Sequence, residues 1–257
     1  MSKGLCDLIN GADNYVVGDS NNSRENLYES FFNSYCPDKK CDTDDKKVIS
    51  TFITLLKNFE DDEKNLECDK IVEYVILWLS YILNQKTQNG ATTLNKFYTE
   101  NIKTDSKYNE HITNDSGSKI KNDVIEKKIE SMNIDIKDIS NFYDAFKSLC
   151  NMYSEIGAED YQCNKCLENA RELFEKYEKL KNALDITKGD SYYKLLSNLS
   201  NDYKNFENEY NLVKCKNVSS LVACPRNSVT KNTLITIAII FVAASILLGV
   251  SYKVNNK

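Results

Sequence analysis

The sequence predicts an all-α protein, a helical bundle ectodomain followed by one C-terminal transmembrane helix. Three observations carry that reading. Apolar residues recur at helical spacing in segment after segment up to about residue 210. The 257 residues include only eight Gly and two Pro, Pro37 and Pro225, whereas an all-β chain spends turn residues about every 8–12 positions. Residues 233–252, TLITIAIIFVAASILLGVSY, contain no charged side chain.

The first periodic segment runs from Lys46 to Phe59, where Val48, Ile49, Phe52, Ile53, Leu55, Leu56 and Phe59 share one helical face. The next centres on the only tryptophan, Trp78. With Ile71, Val72, Val75, Ile76, Leu79, Ile82 and Leu83 it is too apolar to face water, which makes it the central core helix. Residues 103–120 (KTDSKYNEHITNDSGSKI) are polar and rich in Asn, Asp, Ser and Gly, and read as a surface loop where variation would concentrate. From Asp123 to Tyr153 the pattern resumes as one or two helices, with Asp135 and Asp138 as breaks. Its second half aligns Ile139, Phe142, Tyr143, Phe146 and Leu149. From Leu167, Ala170, Leu173, Phe174, Tyr177, Leu180 and Leu184 keep near-heptad spacing, with Glu and Lys between them. Leu195, Leu196, Leu199, Tyr203 and Phe206 mark a last amphipathic segment, Tyr192 to Tyr210. About six helices would thus form one bundle. The expected organisation is a helical domain over 1–211, a polar juxtamembrane linker over 212–232, the membrane span over 233–252 and a short tail over 253–257.

Twenty charge-free residues give about 30 Å of helix, the thickness of a bilayer's hydrocarbon core, so the expected partner of this segment is a lipid bilayer. Ala243, Ala244, Ser245 and Gly249 fall at spacings that allow a second helix to approach, and ordinary lipid-facing composition explains them equally well. Arg226 and Lys231 before the span balance Lys253 and Lys257 after it, so charge does not orient the chain. Charged residues after the apolar run argue against replacement by a lipid anchor.

Several function classes fall away. A net charge of -5, with basic residues in scattered pairs such as Lys39-Lys40 and Lys127-Lys128, argues against nucleic acid. The single histidine, His111, leaves little material for a catalytic triad or a histidine metal site. Cys163-Asn-Lys-Cys166 has CxxC spacing, but a thioredoxin-like site needs a βαβ context and these surroundings are helical. Cys36 and Cys41, with four residues between them, lie at the wide end of zinc-ligand spacings. No catalytic residue, cofactor or metal site is expected.

The nine cysteines are Cys6, Cys36, Cys41, Cys68, Cys150, Cys163, Cys166, Cys215 and Cys224. They are dense for a cytosolic protein and are candidate disulfide partners with pairing left open. The N-terminus, MSKGLCDLINGADNYV, has no apolar core of secretory-signal length, which pulls the other way. Sequons at Asn21, Asn114, Asn198 and Asn217 arise by chance in so Asn-rich a chain.

Five segments, in order, carry a family resemblance: YESFFNSYCPDKKCDTDDKKVIS; ILWLSYILNQK with TLNKFYTENI; FYDAFKSLCNMYSEI; CNKCLENARELFEKYEKL; and LSNLSNDYKNF. Together they resemble the Plasmodium interspersed repeat (PIR) variant antigens of malaria parasites, from Leu5 to Lys253. The resemblance implies an exported, membrane-anchored surface antigen on the parasite or its host red cell, with the helical domain outward and a role in adhesion and immune evasion. Its partner would be a host-cell receptor or immune protein. Such proteins typically lack a classical signal peptide, which resolves the conflict between cysteines and N-terminus. They usually continue into a longer basic tail, whereas this sequence reads SYKVNNK, so no tail-dependent interaction is expected. Arg171-Glu-Leu-Phe-Glu175 matches the parasite RxLxE export pentamer, but its mid-helix position makes the match accidental. Two competing readings remain: a tail-anchored intracellular membrane protein with a cytosolic helical interaction domain and reduced cysteines, and a redox or zinc enzyme built on Cys163 and Cys166.

Overall fold

The computed structural model describes residues 1–18, 25–62, 66–86, 94–132, 135–156, 163–184 and 188–212. The expected membrane span and tail lie outside the described residues, as do Asn21, Asn217 and the expected linker apart from Leu212. No described helix is long and apolar enough to cross a membrane.

Ten α-helices are present among the described residues, and no strand. They are α1 (Lys3–Val17), α2 (Glu25–Phe32), α3 (Asp44–Asp62), α4 (Cys68–Lys86), α5 (Leu94–Phe97), α6 (Ser106–Tyr108), α7 (Asn122–Ser131), α8 (Ile136–Ile156), α9 (Cys163–Asn182) and α10 (Gly189–Leu212). Their starts follow capping chemistry. Ser2 accepts a hydrogen bond from the Leu5 N–H, and Asp105 accepts from the N–H groups of Lys107 and Tyr108. Asp44, Asp45, Asp69 and Asp190 place negative charge in the first turns of their helices, where the dipole favours it.

Helix α4 is the centre of the core. Val72, Val75, Ile76, Trp78, Leu79 and Ile82 are all fully buried, because α3, α7 and α8 pack around the helix and α1 closes another side. Helix α8 is the second hub and contacts α1, α4, α9 and α10. Ring stacking joins the two hubs: Tyr74 lies on Phe146 with centroids 4.8 Å apart, and Tyr81 on Tyr143 at 4.5 Å. Phe142 meets Tyr192 edge-on, and Tyr153 meets Phe206 likewise, which docks α10 onto α8.

The apolar faces expected for α3, α4, α8 and α10 are buried as read. Four features differ. Helices α1 and α2 had no place in the sequence reading, although Leu5, Cys6, Ile9, Ala12 and Tyr15 form a buried stripe on α1. The break in the 123–153 run falls between Ser131 and Ile136, so Asp138 lies inside α8 and is not a break. In α9, Phe174 is only half-buried, and Ala170, Leu173, Tyr177 and Leu180 carry the packing. The expected surface loop at 103–120 contains helix in its middle, because α6 continues into a π-helical turn over Asn109–Thr113, with turns and bends on either side. Tyr108, Ile112 and Ile120 from this segment enter the core. Three well-placed apolar side chains outweigh a polar average.

The end of that segment is held by one carboxylate. Glu60 of α3, 7% exposed, accepts hydrogen bonds from the backbone N–H of Lys119, the N–H of Ile120 at 3.1 Å and the Ser118 hydroxyl at 2.9 Å. Lys57 bridges Glu60 at 3.2 Å and Asp115 at 3.0 Å. Burial pushes the Glu60 carboxyl up, but these donors outweigh it and hold it below the ordinary glutamate value of 4.5. A lowered folded-state value contributes stability above the ordinary one, and that stability is lost as pH falls through the lowered value. Glu60→Gln is expected to cost about 1–3 kcal/mol at pH 7. Urea unfolding should show the gap between parent and variant closing below about pH 4.

Candidate functional site

Two disulfides divide the cysteines into different mechanical roles. Cys6 of α1 and Cys150 of α8 are both fully buried and are bonded across 144 residues of chain, with Cα atoms 5.0 Å apart. Polar contacts run alongside the bond between the same two helices. Tyr143 donates to Asp13 at 2.7 Å, Lys147 pairs with Asp13 at 2.5 Å and also reaches Asn10, and Ser154 donates to Asp7 at 2.8 Å. Burial pushes the Asp13 carboxyl up, with Lys147 and Tyr143 opposing the rise. In the chain-entropy picture, closing so long a loop stabilises the fold by about 5 kcal/mol.

Cys36 and Cys41 close a loop five positions apart, and the same relation gives only about 2 kcal/mol. Their effect is local. Between them, Pro37, Asp38, Lys39 and Lys40 are all exposed. Lys40 N–H donates to the Pro37 carbonyl at 2.9 Å. Asp38 and Lys39 stand at φ 51° and 54°, the only non-glycine positive values among the described residues. On the N-terminal side Tyr35 is tied to α3 through its N–H and the Ser50 hydroxyl, and its ring meets His111 edge-on at 4.8 Å.

Cys68 and Cys166 are unbridged. Cys166 is buried in α9, and burial, with Glu155 adding, pushes its thiol up to about 12, so it stays protonated and inert as a nucleophile. Cys68 is half-buried at the start of α4. Cys163 opens α9, which makes the CxxC stretch one turn of helix. Cys215 and Cys224 lie outside the described residues. Among the described residues no group of three or more His, Cys, Asp or Glu is placed to hold a metal ion. Among the described residues four of the candidate cysteines are brought together in two pairs, and proximity in sequence foretold neither the long bridge nor the twist of the short one.

An open cavity of about 360 Å³ lies where α8, α9 and α10 meet, floored by Leu180 and Tyr192 and rimmed by Asn141, Asp144, Lys176 and Lys179. Lys176 is already engaged by Glu172 at 2.7 Å, the Ser148 hydroxyl and the Asp144 carbonyl. This arrangement fastens α9 to α8. The sequon at Asn198 is likewise occupied, since its amide donates to Glu73 at 2.7 Å inside the α4–α10 contact, whereas Asn114 is exposed.

A model of the family described as Plasmodium variant antigen protein Cir/Yir/Bir matches residues 6–253. The chain belongs to that family. Among solved structures, a Plasmodium PIR protein ectodomain is similar at 34% identity, covering 86% of this chain and 96% of its own, with a TM-score of 0.67. Comparison with curated proteins returns no match. In this variant antigen the α1–α8 bond therefore belongs to a helical domain of PIR type, in which the two disulfides differ in what they constrain.

That difference is measurable. Cys6→Ser with Cys150→Ser is expected to lower the melting temperature by about 10 °C or more, from a loss of roughly 3–5 kcal/mol in a domain of this size. Cys36→Ser with Cys41→Ser should lower it by about 5 °C or less. Thermal unfolding of the two double variants under non-reducing conditions makes the comparison.

Proposed function

We propose that this chain is a membrane-anchored variant surface antigen of a malaria parasite, an adhesion and immune-evasion module without catalytic activity. The carrying observation is the family match over residues 6–253, and similarity to a PIR ectodomain across nearly all of that domain supports it. The charge-free stretch at 233–252 supplies the anchor, and the helical domain before it faces outward from the parasite or the infected red cell. Bridging of Cys6 to Cys150 and of Cys36 to Cys41 supports maturation in an oxidising compartment. In this reading the partners are the bilayer and a host-cell receptor or immune protein. The buried hubs carry the scaffold, and the exposed turns and outer helix faces carry recognition.

The competing reading is a tail-anchored protein whose domain faces the cytosol. Mass spectrometry of alkylated protein from infected cells, with and without reduction, separates the two. Surface display predicts Cys6, Cys150, Cys36 and Cys41 protected from alkylation until reduced. Alkylation of all nine thiols without reductant would replace it with the cytosolic reading.

A further inference from the structure

We propose that the Cys36–Cys41 turn is a recognition element for a protein partner that presents carboxylates, with Lys39 and Lys40 as the reading side chains. This deepens the adhesive reading above and rests on it.

The backbone is the first argument. A turn closed by the Lys40 N–H on the Pro37 carbonyl, with positive φ at both central residues, is the conformation that Asn-Gly favours. Here the central residues are Asp38 and Lys39. Aspartate enters the left-handed region with some ease, but lysine does so at a cost. Such a conformation persists only where its surroundings over-determine it. The surroundings here are the disulfide, the buried Cys36, and the Tyr35 N–H bonded to Ser50 at 3.1 Å.

Exposure is the second. The four side chains on this constrained backbone are all exposed. Most described lysines elsewhere are engaged. Lys46 pairs with Asp42, Lys57 with Glu60, Lys70 with Asp202 and Lys128 with Glu73. Lys39 and Lys40 pair with no described residue. A bridge over so short a loop adds little global stability, and what it achieves is a fixed backbone from which two lysine side chains project. Fixing the backbone in advance removes part of the ordering cost of binding.

Charge chooses the partner. The chain carries a net charge of -5, and Asp42, Asp44 and Asp45 follow the turn directly. An extended polyanion or an anionic bilayer would meet those carboxylates together with the lysines. Discrete carboxylates at fixed spacing on a folded protein would not, and electrostatic complementarity of that kind sets specificity.

The test uses the full chain in nanodiscs, binding to intact uninfected red cells and leukocytes, read by flow cytometry. Lys39→Glu with Lys40→Glu is expected to weaken binding about tenfold or more. Lys39→Gly, which suits the turn, should also weaken binding while the melting temperature stays within about 2 °C of the parent's. Charge reversal at the distant, exposed Lys127 should leave binding unchanged. Trypsin treatment of the cells should abolish binding, and sialidase or heparinase should not. The proposal is overturned if the parent chain does not bind, if either turn variant binds like the parent, or if binding survives trypsin. It is equally overturned if glycan removal abolishes binding, or if phosphatidylserine vesicles reproduce it. The alkylation experiment is independent: free cysteines in infected cells would remove surface display, whereas bridged cysteines with an indifferent turn would remove this inference alone.

Discussion

Helix α4 is apolar around most of its circumference, so water must be excluded from every side of it, and the rest of the domain is arranged to do so. A helix of this kind cannot lie on a surface. Helices α3, α7 and α8 cover it, and α1 completes the cover through its contact with both α4 and α8. The large rings do most of the filling: Trp78 and Tyr74 from α4, Tyr143 and Phe146 from α8, and Phe52 and Phe59 from α3 are all buried.

Enclosing α4 carries charged groups inward with it, and these are satisfied in networks. Lys70 pairs with Asp202 and Glu73, each at 2.9 Å, and Lys128 reaches Glu73 at 3.4 Å and Asp69 at 2.5 Å. Burial pushes Asp202 up, with Lys70 and Tyr74 opposing it, while Lys70 itself is raised because Asp202 and Glu73 outweigh its burial. Breaking one partner would leave an uncompensated buried charge, so these pairs specify how α7 and α10 sit on α4 more than they add stability. Glu60 does the same for the segment ending at Ile120, and Asp13 for α1 against α8. Scaffold positions are bound by packing and by pairing, whereas the side chains of Pro37, Asp38, Lys39 and Lys40 are exposed.

The sequence by itself determined the helical class, the family and most of the core, because a helix that buries one face must repeat apolar residues at its own period. Every apolar position read on the 46–59 and 71–83 segments is buried. It also marked the uncharged stretch at 233–252, through composition alone. Tertiary structure decided what periodicity does not encode. Helix α1 is broken in composition by Asp and Asn, so its buried stripe gains meaning only once α8 stands opposite it. The 103–120 segment averages polar, and its three core residues are identified by where they land, not by their frequency. Cysteine pairing depends on which helices meet, which brings Cys6 to Cys150 across 144 residues. The twist of the turn at Asp38 and Lys39, which lies between Cys36 and Cys41, is a matter of backbone angles that helical periodicity does not encode.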